Sequence, residues 1–147
     1  MIRNLQGPED SAAVLRLWHS GASQLEPGLS MDAWQREQEW LERELLPQSE
    51  VWLFGEQEVL GFVLLKGNSL AALCVAPSAQ GRGIGKALLA YARVQRRDLQ
   101  VHLCAGPQAT AFFKRQGFRP VRELLDSRTG QPAVLMVPGN ANNYFSC

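Results

Sequence analysis

The chain has 147 residues, 46% of them hydrophobic and 20% charged, with a formal net charge of +1. A length near that of one domain allows a substantial core, and the near-neutral balance supplies no global attraction to nucleic acid. No apolar stretch approaches the ~20 residues that cross a bilayer, and Met1-Ile2-Arg3-Asn4 lacks the apolar run of a secretion signal.

Residues 2–5 form a short predicted strand closed by Gly7-Pro8. Pro8 suits a first helical position, Glu9 and Asp10 suit the positive end of a helix dipole, and Val14, Leu17 and Trp18 recur at helical spacing. A looser stretch, residues 21–30, leads to a second helix with Ser30 as N-cap. It runs through Trp34, Leu41 and Leu45 and stops before Pro47. Residues 50–54 and 59–65 are predicted strands around Gly55-Glu56-Gln57-Glu58, a hairpin-like spacing. After the turn Lys66-Gly67-Asn68-Ser69, residues 70–75 are a continuous apolar run fit for a central strand buried on both sides.

A glycine-rich turn and a third helix follow, with Ile84, Leu88 and Ala92 four residues apart on one face. Residues 99–104 predict a strand. Gly106-Pro107 opens a fourth helix carrying Ala109, Phe112 and Phe113, and Gly117 suits its C-terminal stop. Residues 118–125 and 133–137 finish as strands around the turn 126–130. The order β-α-α-β-β-β-α-β-α-β-β predicts one mixed α/β domain over residues 1–138, with residues 139–147 a flexible tail rich in Asn. Three widely spaced cysteines, Cys74, Cys104 and Cys147, form no CxxC pair. They point to reduced thiols in the cytoplasm and away from a disulfide framework or a metal site. The run Arg93, Arg96 and Arg97 reads as a solvated helix end, so no nucleic-acid or membrane partner is expected.

The informative segment is the strand–turn–helix junction at Leu73-Cys74-Val75-Ala76-Pro77-Ser78-Ala79-Gln80-Gly81-Arg82-Gly83-Ile84-Gly85-Lys86. Three glycines in five residues let the backbone bend tightly and bring bare amides close to a ligand. The following helix leaves its first N–H groups unpaired and places partial positive charge there. Phosphate oxygens fit such a junction, with Arg82 and Lys86 adding charge. A Walker motif needs Ser or Thr after Gly85-Lys86, where Ala87 stands, and a Rossmann motif needs Gly-x-Gly-x-x-Gly near the first strand. A diphosphate outside those two classes is the reading left, against a glycine turn that merely packs a helix on a sheet.

These residues resemble the GNAT superfamily of N-acyltransferases. Its signature of Gln or Arg, two residues, Gly, one residue, Gly or Ala is met by Gln80, Gly83 and Gly85, flanked by Leu73-x-Val75-x-Pro77 and by Leu88-Leu89. A second block, an alanine, an aromatic pair and Gly-Phe, is similar to residues 109–118. The resemblance implies a mixed central sheet of six to seven strands with about four helices, splayed between the fourth and fifth strands around acetyl-CoA. It implies that Leu73 and Val75 offer main-chain hydrogen bonds to the pantetheine arm. Gln80, Gly81, Arg82, Gly83, Gly85 and Lys86 would build the pyrophosphate turn, and Phe113 would lie against the cofactor. It further implies direct acetyl transfer to a primary amine of a small molecule or a protein, without a metal, and it allows a homodimer.

Two positions depart from the pattern. Phe113 stands where many relatives carry an acid tyrosine, and Gly106 where an asparagine often contacts pantetheine. The alternative is therefore an acyl-CoA-binding module without catalysis. Candidate catalytic groups are Glu26 in the loop expected to wall the acceptor, Cys74 on the opposite sheet face from Leu73 and Val75, and His102 on the fifth strand. The plain alternatives are an exposed loop carboxylate, a small core thiol and a packed strand histidine. Cys104, His19 and Tyr91 are weaker candidates of the same kind.

Overall fold

The computed structural model describes residues 1–25, 31–103, 107–125 and 132–139. Among the described residues, fourteen elements or turns follow the predicted order, dominated by strands β1 (Ile2–Asn4), β2 (Glu50–Phe54), β3 (Gly61–Lys66), β4 (Ser69–Val75), β5 (Gln100–Leu103), β6 (Phe118–Leu125) and β7 (Pro132–Pro138). The helices are α1 (Pro8–Leu25), α2 (Met31–Trp40), α3 (Ile84–Gln95) and α4 (Pro107–Arg115). All seven strands join one sheet in the order β1-β2-β3-β4-β5-β7-β6, antiparallel except for the parallel pair β4–β5.

Alternation along the strands divides the core in two. Trp52, Val63, Leu65 and Leu70 face α3 and α4, meeting Ile84, Leu88, Leu89, Ala92 and Phe113. Val51, Leu53, Phe62, Leu64 and Ala72 face the other way, meeting Val14 and Leu17 of α1 and the buried pair Leu41 and Leu45. Covered on both sides, β3 is buried from Gly61 to Leu65, which is why it reads as an unbroken apolar run.

Two helix boundaries differ from expectation. The α1 helix continues to Leu25, five residues into the stretch 21–30 read as loose, because no proline interrupts the sequence before Pro27. The second helix does not end cleanly before Pro47. It widens into a π turn at Leu41–Leu45, where the Leu46 amide reaches the Leu41 carbonyl, then tightens into a 3-10 turn at Leu46–Gln48. Pro47 is tolerated there because it sits in the first turn, where its missing N–H is not needed. The proposed Ser30 cap lies outside the described residues.

The start of α1 is tied to β1. Arg3 donates to both Asp10 carboxylate oxygens, at 2.8 and 3.0 Å, and the Gln6 amide donates to Asp10 Oδ2 at 2.9 Å. The hydrogen bonds from Arg3 hold the Asp10 carboxyl below the usual carboxylate range, with the Gln6 amide adding to the effect and burial opposing it. A carboxyl depressed in the folded state stabilises the fold above its unfolded pKa and loses that contribution as pH falls through its folded value. Asp10→Asn should therefore cost about 1 kcal/mol at pH 7 and progressively less as pH falls below the ordinary carboxylate range, read from chemical denaturation at neutral and acid pH.

The sheet opens between β4 and β5. Pairing is confined to Ser69↔Gln100 and Leu70↔Val101, although β4 runs on to Val75 and β5 to Leu103. The cause lies in β4: Leu65 faces Leu70 and Leu64 faces Ala72, so Ala71 is an extra residue in the strand. A bulge of this kind bends the strand and increases its twist, and it falls where contact with β5 ends. Leu73, Cys74 and Val75 are consequently only half-buried, not enclosed on both sides as the apolar run suggests.

Candidate active site at the sheet opening

At the open end of β4 the chain turns into α3 through a short 3-10 turn, Pro77–Ala79, closed by the Ala79 amide on the Ala76 carbonyl at 2.9 Å. Gln80 Nε2 donates to the Val75 carbonyl at 3.3 Å and so pins the turn to the strand it leaves. Gly81 and Gly83 have φ of +82° and +81°. A Cβ at either would meet nothing within 4 Å, so backbone conformation and not crowding calls for glycine.

Gly83 is the N-cap of α3 and has no side chain with which to cap it. Its carbonyl accepts the Ala87 amide at 2.9 Å, while the amides of Ile84, Gly85 and Lys86 precede the first helical hydrogen bond. Residues 80–83 and Lys86 are exposed. Among the described residues neither Arg82 nor Lys86 enters an ion pair. Orphan amides, the helix dipole and two uncommitted cations converge on open space, an arrangement suited to phosphate.

The main chain of β4 completes the opening. The Ala76 amide bonds the Leu60 carbonyl at 2.8 Å across to the β3 side. Antiparallel pairing alternates, so Cys74 and Ala72 also direct their main-chain groups to β3. Leu73 and Val75 direct theirs to the side from which β5 has departed. The amide of each points into the gap, next to the glycine turn.

Gly61 and Ala71 were not singled out by the sequence, and Phe112 only as one of an aromatic pair, yet each shapes this site. A Cβ on Gly61 would lie 2.9 Å from the Cys74 carbonyl oxygen and 3.1 Å from Ile84 Cγ2, so glycine there lets the first turn of α3 seat on the sheet. An isolated glycine inside a strand pattern was the available signal. Gly85 sits between Val75 and Phe112, with 3.6 Å from a built Cβ to each. Phe112 is thus the ring of α4 that reaches the turn. Phe113, expected against the cofactor, is 3% exposed and stacked edge-to-face on Phe112 and Phe118, with centroids 5.1 and 5.8 Å away.

Of the proposed catalytic groups, Glu26 and Cys104 lie outside the described residues. Cys74 packs with the α1-side core, opposite Leu73 and Val75. His102 pairs with Leu135 and alternates with the buried Val101, so it too faces away from α3. Cys74 and His102 therefore share one sheet face on the two strands that part. Tyr91 is half-buried, edge-on to Trp52 at 5.4 Å, on the core side of α3 and away from the turn. His19 is exposed on α1.

Although Cys74 as a residue is only half-buried, its side chain packs into the α1-side core, and that burial pushes the thiol up to about 12, from an ordinary 9.0. A raised thiol pKa stabilises the fold below the unfolded value and is lost as pH rises toward the folded one, so the thiol stays neutral through physiological pH. It lacks the thiolate character of a nucleophile. Iodoacetamide at pH 8 should label Cys74 in the native chain at least ~100-fold more slowly than in the denatured chain, as peptide mapping would measure.

Among the described residues no group of three His, Cys, Asp or Glu side chains could hold a metal, and no helix is long and apolar enough to cross a membrane.

A parallel strand pair parted beside a glycine turn at a helix mouth defines the acyl-CoA N-acyltransferase class of α/β fold. The chain belongs to the GNAT acetyltransferase family, whose acetyltransferase (GNAT) domain matches residues 47–120. It is 32% identical over 139 residues to the peptidyl-lysine N-acetyltransferase YiaC of Escherichia coli (strain K12), covering 92% of this chain and 94% of that one. Identity to the peptidyl-lysine N-acetyltransferase YjaB of Salmonella typhimurium is 28% over 131 residues, 87% of this chain and 90% of the relative. The solution structure of apo-form YjaB from Escherichia coli shares the fold with a TM-score of 0.80 at 23% identity, covering 94% of this chain and 96% of that one. An aminoglycoside 6'-N-acetyltransferase complexed with coenzyme A superposes with a TM-score of 0.64 at 16% identity, over 93% and 95% of the two chains.

Proposed function

We propose that the protein transfers an acetyl group from acetyl-CoA to a primary amine, and that the amine is the side chain of a lysine in a protein. The observation that carries the first half is the exposed turn at residues 80–83, with unpaired amides at the mouth of α3 beside a gap in the sheet. In this reading the amides of residues 84–86, with Arg82 and Lys86, hold the pyrophosphate. Gln80 fixes the turn, Gly81 and Gly83 supply its bend, and Leu73 and Val75 bond the pantetheine arm. Gly85 contributes its amide beside Phe112, and Phe113 supports that ring from the core. The names of the relatives support lysine as the acceptor, and dependence on acetyl-CoA, with three cysteines that form no CxxC pair, supports a cytoplasmic setting.

The turn lies on the α3 face, so a thioester threaded through the gap emerges toward the face shared by Cys74 and His102. There the amine nitrogen attacks the thioester carbon, the carbon–sulfur bond breaks, and the departing thiolate takes up a proton. Water supplies that proton, because Phe113 has no hydroxyl. His102 and Glu26 are the groups proposed to take the proton from the incoming ammonium. Cys74 borders the acceptor as a neutral wall. The test is release of free thiol from acetyl-CoA on addition of lysine peptides, paired with calorimetry of CoA itself. Turnover together with CoA affinity is the expected result. CoA affinity without thiol release on any amine would make the protein a binding module, and no affinity at millimolar CoA would remove the reading altogether.

A further inference from the structure

The arm of the sheet built from β5, β7 and β6 has a face turned away from α3 and α4, and strand register fixes which residues share it. Val101, Met136 and Pro120 form one cross-strand row, and Val101 and Met136 belong to the α3-side core. The adjacent row, His102, Leu135 and Arg122, therefore points the other way, as do Val137 and its partner Arg119. The second core, under α1, draws its strand residues from β2, β3 and β4 and, among the described residues, takes none from this arm.

On this face Leu135 and Val137 are half-buried and Arg122 is exposed. Arg119 is half-buried, its Nε shielded from solvent without a hydrogen-bond acceptor, and it has no ion pair among the described residues. Other half-buried arginines of the chain are matched: Arg3 by Asp10, Arg93 by the Gln116 carbonyl, Arg96 by Glu50 and the Gly67 carbonyl. A guanidinium is charged at every accessible pH, and giving up its water without an acceptor is costly. Carboxylate is the partner its fork geometry fits.

We propose that this face docks an acidic segment of the protein acceptor, with a carboxylate held by Arg119 and Arg122 while the lysine enters the sheet opening. The proposal deepens the lysine reading above and rests on it. Arg122 lies two strands from His102, about 10 Å at the usual strand spacing. An extended peptide crosses that distance in about three residues, so the acidic residue should fall within roughly three positions of the lysine. Leu135 and Val137 between the arginines suit the apolar side chains of a peptide. They interrupt any continuous basic track for a phosphate backbone, in a chain whose net charge is only +1.

The test is an anisotropy titration, with CoA present, of a labelled lysine peptide carrying two Glu within three residues of the lysine. The comparisons are its Gln-substituted twin and a single-stranded oligonucleotide. The wild-type chain should bind the Glu peptide on the order of tenfold more tightly than the Gln peptide at low salt. Arg119→Gln with Arg122→Gln should reduce that ratio to about two or less while the melting temperature is unchanged, because neither guanidinium holds a partner among the described residues. Should the double variant fail to fold, the exposed Arg122→Gln alone carries the test, with at least a threefold loss of the ratio expected from removing one charge of two. Equal binding of the two peptides, a preference that survives the substitutions, or oligonucleotide binding in place of the peptide would overturn the proposal. Acetyl-CoA calorimetry on the same variants keeps the outcomes apart. Equal binding of the two peptides by the wild-type chain, or a preference that survives in the variants, with intact acetyl-CoA affinity defeats the docking face alone, whereas no acetyl-CoA affinity in any of the chains defeats the reading beneath it.

Discussion

A Gly83→Val variant should lose acetyl-CoA affinity by at least ~100-fold while remaining folded, because the residue meets two separate requirements. The first is conformational: φ of +81° at the N-cap of α3 costs an L-residue about 1–2 kcal/mol. For a chain of this length that corresponds to a fall in melting temperature of about 3–8 °C, well short of unfolding. The second is spatial. A built Cβ at Gly83 meets no protein atom within 4 Å, so a branched side chain there would occupy open space at the helix mouth, beside the orphan amides. That space is where phosphoryl oxygens must approach to about 2.9 Å of an N–H. Calorimetry with acetyl-CoA and a thermal melt on the same sample separate the two. A variant that melts early yet binds normally would mean the amides of residues 84–86 do not face the ligand. Gly85→Ala is the counterpart, since its Cβ only makes ordinary contact with Val75 and Phe112. It should retain affinity and gain helix stability of about 0.5–1 kcal/mol.

The fold was legible where a local rule decides structure. Leu88 and Ala92 repeat at helical spacing, Gly81 and Gly83 mark positive φ, and residues 50–54 and 118–125 emerged as strands with the expected limits. The turn at residues 80–86 was legible for the same reason: its chemistry is main-chain chemistry, and glycine spacing announces it. What escaped depends on neighbours distant in sequence. Nothing in Ser69–Val75 marks Ala71 as an inserted residue; the bulge exists only against Leu64 and Leu65 of the paired strand. Phe112 and Phe113 are chemically identical, and only the seating of α4 on Phe118 sends one into the core and the other toward Gly85. Arg119 looks like any strand arginine until register places it on a face without a carboxylate among the described residues.

The sheet opening makes a sharper demand on β4. Within a paired strand, proline normally removes a ladder hydrogen bond and destabilises the sheet. At residue 75 the amide points away from β3, into the gap, so no strand-to-strand bond is available to lose. Val75→Pro should accordingly leave the fold intact, with stability reduced by no more than about 1–2 kcal/mol, since the preceding residue is already extended as proline requires. Its effect should fall on function, through loss of one main-chain donor to the pantetheine arm and a shift in the ring's neighbours. Acetyl-CoA affinity and kcat/KM should drop together by about 10–100-fold, whereas Val75→Ala, which keeps the amide, should stay within about threefold. Phe62→Pro is the matched contrast, because Phe62 faces Cys74 in a hydrogen-bonded row at the buried centre of the sheet. There proline should abolish folding, as loss of the cooperative melt would report. If both prolines proved equally damaging to the melt, Val75 would be held by its neighbour strand after all, and the gap between β4 and β5 would not be lined by free main-chain donors.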